Sequence, residues 1–362
     1  MMNINFDQLV RADAETREGV FNTTAQRLGS TPSNIEKDFW VCWTLDVLFN
    51  GLPGDHRLLF KGGTSLSKGF GLISRFSEDI DVTVFREDLD STTTVETIKD
   101  MSKTARGKWL DALKATCSAY IQGDFRAQLT DLTRACIARN GLEETAFTVE
   151  VDPDDKDGQT LLLRYPAVTA EDAYVRKVVK IESGAKSALD PHTSRTVRPY
   201  ADDDLPEIDL AVPNVTTVAP ERTFWDKVVI VHGLRRTFDA KGILRGDGQR
   251  VSRHYYDLHR LMEAGVAARA LADMDLGANC VLHARLFFFR ADADQASARP
   301  GSFALVPHDG MIDRLRADYV DMSGMIFGPV PDFDVVMASV SRLEAELNAA
   351  APWHEDNDAA QG

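Results

Sequence analysis

The sequence predicts an α/β (α+β) protein: strands and helices mix over residues 1–218, and a helical domain follows over 219–349. Three observations predict it. First, Leu58-Leu59-Phe60 and Glu78 to Phe85 read as strands on either side of a Gly-Gly turn and a short helix. Second, Ala146 to Val151 and Thr160 to Tyr165 read as a hairpin around a polar turn. Third, from Ala219 onward apolar residues recur mainly at three- and four-residue steps.

Taken in order, Phe6 to Leu28 reads as one helix. Pro32 to Phe49 reads as another, with Thr31 as cap, Pro32 in its first turn and Glu36 at its acidic start. Phe39, Trp40, Trp43, Leu45, Val47 and Leu48 supply its buried face; Lys37 and Asp38 either approach the site or, more plainly, form a solvated charge pair. After the Glu78 to Phe85 strand, the polar stretch Glu87 to Lys108 reads as an insertion. Trp109 to Gln122 and Phe125 to Asn140 read as two amphipathic helices, so the helical insertion spans about 87–140. The hairpin follows, its acidic Asp152 to Gly158 turn departing from a Ca²⁺ loop and reading as a plain turn. Tyr174 to Glu182 reads as a strand and Val215 to Val218 as a shorter one. Pro220 and Glu221 open a helix to about Arg236. Lys241 to Gln249 is a glycine-rich loop, Ser252 to Leu261 a helix, Leu282 to Arg290 a strongly apolar run, and Arg314 to Leu347 two periodic stretches divided at Gly328 to Pro331. Residues 350–362 read as a disordered tail.

The chemistry concentrates in LLFKGGTSLSKGFGLISRFSEDIDVTVFR, Leu58 to Arg86. Gly62 and Gly63 allow a sharp turn into a helix that Thr64 or Ser65 can cap, and the bare backbone N–H groups there suit a phosphate. Two residues apart on one strand, Asp79 and Asp81 share a face, while Ile80, Val82 and Val84 point into a core. Like charges that close need a cation between them, and hard oxygen ligands suit Mg²⁺ carrying substrate phosphates. Phosphoryl transfer is the chemistry this pattern points to; a tight turn beside a solvated aspartate is the plainer alternative for each motif alone.

By these residues the chain resembles the nucleotidyltransferases of the DNA polymerase beta superfamily. KGGTSLSK followed by RFSEDIDV is similar to the AbiEii/AbiGii toxin family of abortive-infection and toxin–antitoxin systems, and so are EKDFWVCWTLDVLF and DYVDMSGMIFGPVPDFDVVMASVSRLEAELN. The resemblance implies a core with a mixed sheet and an enzyme that transfers NMP from an NTP, GTP or CTP among the candidates, with Mg²⁺. It implies metal binding by Asp79, Asp81 and Glu182, the last being otherwise a strand-end charge. It places the nucleotide at Gly62, Gly63, Thr64, Ser65, Lys68 and Ser77. Lys227, in ERTFWDKVVIVHGLRR, matches the family's helical lysine and would pair with phosphates, or else lie on a polar face. Asp257 matches the second acid of the family's R-D-x-x-D-L motif, whose first acid is replaced here by His254, and would orient Lys227 or the acceptor. The resemblance also implies a cognate antitoxin and an RNA acceptor such as tRNA, which predicts Arg75, Lys68, Arg235, Arg236 and Arg253 gathered beside the site.

Composition narrows the field. The 362 residues carry 41 Lys and Arg against 56 Asp and Glu, a net charge of −15, which argues against broad attraction to nucleic acid, so any RNA must meet a local basic patch. Cys42, Cys117, Cys136 and Cys280 have no metal-binding spacing and read as core residues, consistent with a reduced cytoplasm and no membrane segment. No Walker A, HExxH or GxSxG motif occurs, and Gly69-Phe70-Gly71 lacks the third glycine of a dinucleotide fingerprint. A non-catalytic GTP or ATP switch and a protein-modifying transferase are the rival functions.

Overall fold

The computed structural model describes residues 1–89, 93–170, 176–244 and 250–353, and the chain divides into two units, Met1–Val218 and Ala219–Gly362. The first unit is built on a mixed sheet of seven strands in the order β3-β4-β5-β2-β1-β7-β6. These are β1 Leu58–Lys61, β2 Ile80–Val84, β3 Thr148–Val151, β4 Thr160–Arg164, β5 Val178–Glu182, β6 His192–Val197 and β7 Val212–Val218. Strand β2 lies at the sheet's centre, antiparallel to β1 and parallel to β5. The α/β expectation is met.

The helices of this unit are α1 Phe6–Val10, α2 Ala14–Leu28, α3 Pro32–Asp46, α4 Gly62–Lys68, α5 Arg86–Leu89, α6 Val95–Asp100, α7 Lys103–Tyr120 and α8 Arg126–Asn140. The expected single helix over Phe6 to Leu28 is two, because the Asp13 carboxylate accepts a hydrogen bond from the Thr16 N–H (2.7 Å) and starts a new helix there. Helix α3 begins as expected, with the Thr31 hydroxyl accepting from the Asn34 N–H. It differs in its surroundings, since every residue from Ser33 to Asp46 is buried. Trp40 stacks on Tyr165 with ring centroids 5.3 Å apart, and Trp43 stacks on Phe147 at 5.0 Å. The polar stretch after β2 holds α5, α6 and the start of α7 among its described residues. The two helices expected over 109–140 run on through a π turn at Ile121–Phe125. Tyr174 and Val175, placed in a strand from sequence, lie outside the described residues, and β5 starts at Val178. Strand β6, HTSRTV, was not anticipated: its residues His192 to Thr196 are exposed, so it lacks the apolar alternation that marks a half-buried strand.

The second unit is helical: α9 Pro220–Lys241, α10 Ser252–Glu263, α11 Val266–Ala272, α12 Met274–Phe287, α13 Asp309–Ser323 and α14 Phe333–Ala349. Helix α9 runs beyond Arg236 into the stretch read as a loop, of which 245–249 lie outside the described residues. Trp225 on α9 donates from Nε1 to the Ala270 carbonyl (3.2 Å), and α12 crosses it at Gly277, where a Cβ would come within 2.7 Å of the indole. The start of α10 is capped from far along the chain, the Asp318 carboxylate accepting from the N–H groups of Arg250 and Ser252. The apolar run 282–290 is divided: Leu286 and Phe287 are buried in α12, whereas Phe288 and Phe289 are exposed. The segment read as a disordered tail is anchored at its start, where the Trp353 ring meets that of Phe303 at 5.8 Å; residues 354–362 lie outside the described residues.

Candidate active site

The pairing of β1, β2 and β5 builds the site in the first unit. Lys61 stands opposite Asp81 across β1–β2, and Glu182 stands beside Asp81 across β2–β5. Asp79 precedes Asp81 by two residues, just before the strand proper, whose first residue is Ile80. Side chains alternate along a strand, so Asp79 and Asp81 face one way and in-register Glu182 faces with them. The sheet thus brings together the three acids expected there.

Their charges interact. Burial, Glu78, Glu182 and Asp81 push the Asp79 carboxyl up to about 6, with Lys37 opposing the rise. Two lysines that the sequence reading did not single out sit among the acids. Lys61 Nζ lies 3.7 Å from Asp81 Oδ1, and Lys180 Nζ lies 2.7 Å from Glu182 Oε1 and 3.6 Å from Asp152 Oδ2. Burial disfavours the Lys180 ammonium, but Glu182, Asp79 and Asp152 more than compensate and hold its pKa above the ordinary lysine value. The signal for Lys180 was its place two residues before Glu182 on the same face of the strand.

The Gly-Gly turn is shaped by the acids as much as by any ligand. Gly62 has a φ of +79°, and a Cβ there would stand 2.1 Å from Asp81 Oδ2. At Gly63 a Cβ would meet Arg75 Nη2 at 2.5 Å, so the buried Arg75 guanidinium lies against the turn at the N-terminus of α4. Neither Thr64 nor Ser65 caps that helix: its N-cap is Lys61, which makes no side-chain cap bond. Instead the buried Thr64 hydroxyl donates to the Asp79 carbonyl (2.5 Å). Its one proton thus committed, Thr64 accepts from Ser77 Oγ at 2.7 Å. The Ser65 hydroxyl donates to the Gly62 carbonyl at 2.8 Å. These side chains brace Asp79 and the turn, so a phosphate at the turn would be met by backbone N–H groups.

Lys68 is not where a phosphate contact needs it. Its side chain is 4 % exposed, paired with Asp38, and its ammonium lies 3.2 Å from the centroid of the Tyr200 ring. Asp38 and Lys37 are accordingly not a solvated pair, Lys37 being buried and bonded to Glu78 Oε2 at 2.6 Å. Beside Glu182 opens a hollow of about 390 Å³, lined by Lys180, Thr160, Ser183 and aspartates of the β3–β4 turn. Those aspartates accept N–H groups of their own turn, Asp152 from Asp154 and Asp155 from Asp157 and Gln159.

Among the described residues no three metal-binding side chains are arranged as a ready-made cage. Mg²⁺ does not require one, being held typically by one or two carboxylates together with substrate phosphates and water. Asp79 and Asp81 would supply that donor set, and burial together with Glu78, Glu182 and Asp81 disfavours the Asp79 charge that a cation would relieve. Glu182 could join once Lys180 turns away from it.

In the second unit, Lys227 Nζ lies 2.7 Å from Asp257 Oδ2, both side chains buried. Lys227 is therefore not on a polar face. Two of the cations anticipated for an RNA patch are engaged locally, Arg235 with Asp239 and the Val306 carbonyl and Arg236 with the Ser302 carbonyl, and Arg253 is half-buried on α10. His259 is buried, with Nδ1 2.8 Å from Ser339 Oγ. No helix among the described residues is long and apolar enough to cross a membrane.

No curated protein matches the chain. A solved structure that it resembles is MenT4, a nucleotidyltransferase toxin from Mycobacterium tuberculosis, at 18% identity over 92% of this chain and 90% of that one, with a TM-score of 0.45. The assignment rests on the family comparison, in which residues 46–339 match "Nucleotidyl transferase AbiEii toxin, Type IV TA system". That match spans both units and takes in Gly62, Gly63, Asp79, Asp81, Glu182, Lys227 and Asp257, and the chain belongs to the AbiEii nucleotidyltransferase toxin family of type IV toxin–antitoxin systems.

Proposed function

We propose that this chain uses Mg²⁺ to transfer NMP from an NTP, GTP and CTP being candidates, to the hydroxyl of an RNA such as tRNA. The observation that supports this is the register of β2 and β5, which sets Glu182 beside Asp81 with Asp79 on the same face and the Gly62–Gly63 turn against them. Asp79 and Asp81 would hold the metal, and Glu182 would complete its acceptor side. The metal supplies charge neutralisation on the triphosphate and activation of the acceptor hydroxyl.

The chain's own groups do the positioning. Backbone N–H groups at Gly62, Gly63 and Thr64 would receive the triphosphate, with Arg75 at the same turn adding charge. Lys227, oriented by Asp257, would neutralise phosphate charge as a compact cation. The acceptor oxygen bonds to the α-phosphorus, the bond to the β-phosphate oxygen breaks and pyrophosphate leaves, the hydroxyl proton passing to a carboxylate of the cluster. In the cell the protein would be a cytoplasmic toxin restrained by its cognate antitoxin and released in abortive infection by phage.

The test incubates purified protein with Mg²⁺, each α-labelled NTP and total bacterial RNA, beside an Asp79→Ala/Asp81→Ala protein. Label entering an RNA band only when the acids are intact supports the reading and names the nucleotide. Label entering only protein would replace it with protein modification. Tight Mg²⁺-dependent nucleotide binding with no label transferred would replace it with a switch.

A further inference from the structure

Three consecutive charged residues on α3, Glu36, Lys37 and Asp38, are each almost fully buried, at 0%, 2% and 2% exposure. Successive side chains on a helix point about 100° apart, so the three diverge in different directions. Each meets a different segment framing the acid cluster. Glu36 accepts from the N–H groups of Val168 (2.6 Å) and Thr169 (3.2 Å) and from Lys177 Nζ (3.1 Å), next to the start of β5, the strand that carries Glu182. Lys37 donates to Glu78 Oε2 at 2.6 Å, one residue before Asp79. Asp38 pairs with Lys68 at the end of α4 and accepts from the Tyr200 N–H at 2.7 Å.

We propose that this Glu36-Lys37-Asp38 run positions the active site, one residue each for the strand of Glu182, the approach to Asp79 and the Gly-Gly helix. The inference rests on the transferase reading above. Three adjacent buried charges on a helix are costly unless each is paired, so the helix holds these segments in a single arrangement. The aromatic packing of α3 supplies a rigid base, and from it Lys37 holds Glu78, the residue before Asp79. Lys37 is the most informative member because Glu78, its partner, adjoins a proposed metal ligand. Partners bonded directly to a metal ligand alter metal affinity or activity by roughly 10–100-fold, and a pair one residue removed is expected at the lower end of that range.

The experiment compares full-length wild type with Lys37→Met, Lys37→Arg and Lys37→Met/Glu78→Gln. The double variant removes both charges and so leaves no orphan should the single one fail to fold. Four readouts are taken: thermal melting, Mn²⁺ affinity by electron paramagnetic resonance, hydrogen exchange of the 74–80 segment, and NMP transfer. The expected result is a folded double variant with Mn²⁺ affinity and kcat each lower by about tenfold or more, faster exchange at 77–79, and substantial recovery in Lys37→Arg. A folded double variant that matches wild type in Mn²⁺ affinity and exchange overturns the proposal. If wild type binds Mn²⁺ but transfers nothing, the transferase reading falls and the Mn²⁺ comparison still decides this one. If wild type binds no Mn²⁺, exchange decides: unchanged protection at 77–79 overturns the proposal and lost protection supports it.

Discussion

At Gly62 two independent constraints coincide. The φ of +79° lies in the left-handed region, and the space a Cβ needs is occupied by the Asp81 carboxylate. Gly141, at the C-terminus of α8, shares the conformation (φ +65°) but has nothing within 4 Å of a Cβ. Both alanine variants should therefore carry backbone strain of about 1–3 kcal/mol. Only Gly62→Ala must also displace Asp81, and a shift near 1 Å at a reacting group can cost roughly 100-fold in rate. The expected outcome is a similar fall in melting temperature for both, with NMP transfer reduced about 100-fold in Gly62→Ala and little changed in Gly141→Ala; equal transfer rates would show that the close approach to Asp81 does not matter.

The same residues show what was legible beforehand. Asp79 and Asp81 lie two apart on a short strand, a local pattern, and the turn before them is marked by adjacent glycines. That Gly62 makes room for Asp81 was not legible, because it depends on the antiparallel pairing that sets Lys61 opposite Asp81. Lys68 and Lys37 were misread for a related reason. A charged residue on an amphipathic helix ordinarily faces water, and nothing local says that α3 is enclosed on all sides or that Asp38 and Glu78 wait as partners.

At the scale of elements, α1 is only five residues long and could not persist alone. It is tied to α8 through Asp7, which pairs with Arg139 Nε and accepts from Arg139 Nη2 (3.0 Å) and Asn140 Nδ2 (2.9 Å). Burial works to raise the Asp7 pKa, but those hydrogen bonds and the Arg139 charge outweigh it, leaving it below the usual carboxylate value. A group depressed in the folded state stabilises the protein above its unfolded pKa of roughly 4, and that contribution is lost as pH falls through the folded pKa. Urea midpoints should therefore fall below about pH 4 more steeply in wild type than in Asp7→Asn, while at pH 7 the variant is the less stable. Parallel profiles would remove Asp7 as the cause.

The α9–α10 pair Lys227–Asp257 separates stability from function at the same scale. Both side chains are buried, so removing one takes from the other the counter-charge it meets at 2.7 Å, at a cost of about 3–5 kcal/mol. Replacing both with neutral groups leaves no orphan charge. Lys227→Met and Asp257→Asn should each melt well below wild type, and the double variant should melt closer to it. If Lys227 meets phosphate, transfer stays low in all three. Activity that returns with stability in the double variant would make the pair purely structural.

For the whole molecule, the residues with proposed roles fall in both units: Asp79, Asp81 and Glu182 belong to the first and Lys227 to the second. The family match spans both units, and a double variant asks whether Lys227 serves the same step as the acids. Kinetics can test this directly. Losing a charge that stabilises a transition state costs roughly 10²–10³-fold, so Asp81→Asn and Lys227→Met should each lower NMP transfer by about that amount. Residues that act as a unit are grossly non-additive, because once one is gone the geometry the other serves is already lost. Independent sites instead combine as the product of their effects. The double variant is expected to transfer no more slowly than the worse single by more than about tenfold. A full product, measured with melting curves confirming that both units remain folded, would mean that Lys227 acts outside the chemistry of the acid cluster and that the second unit contributes something else, such as acceptor or antitoxin binding.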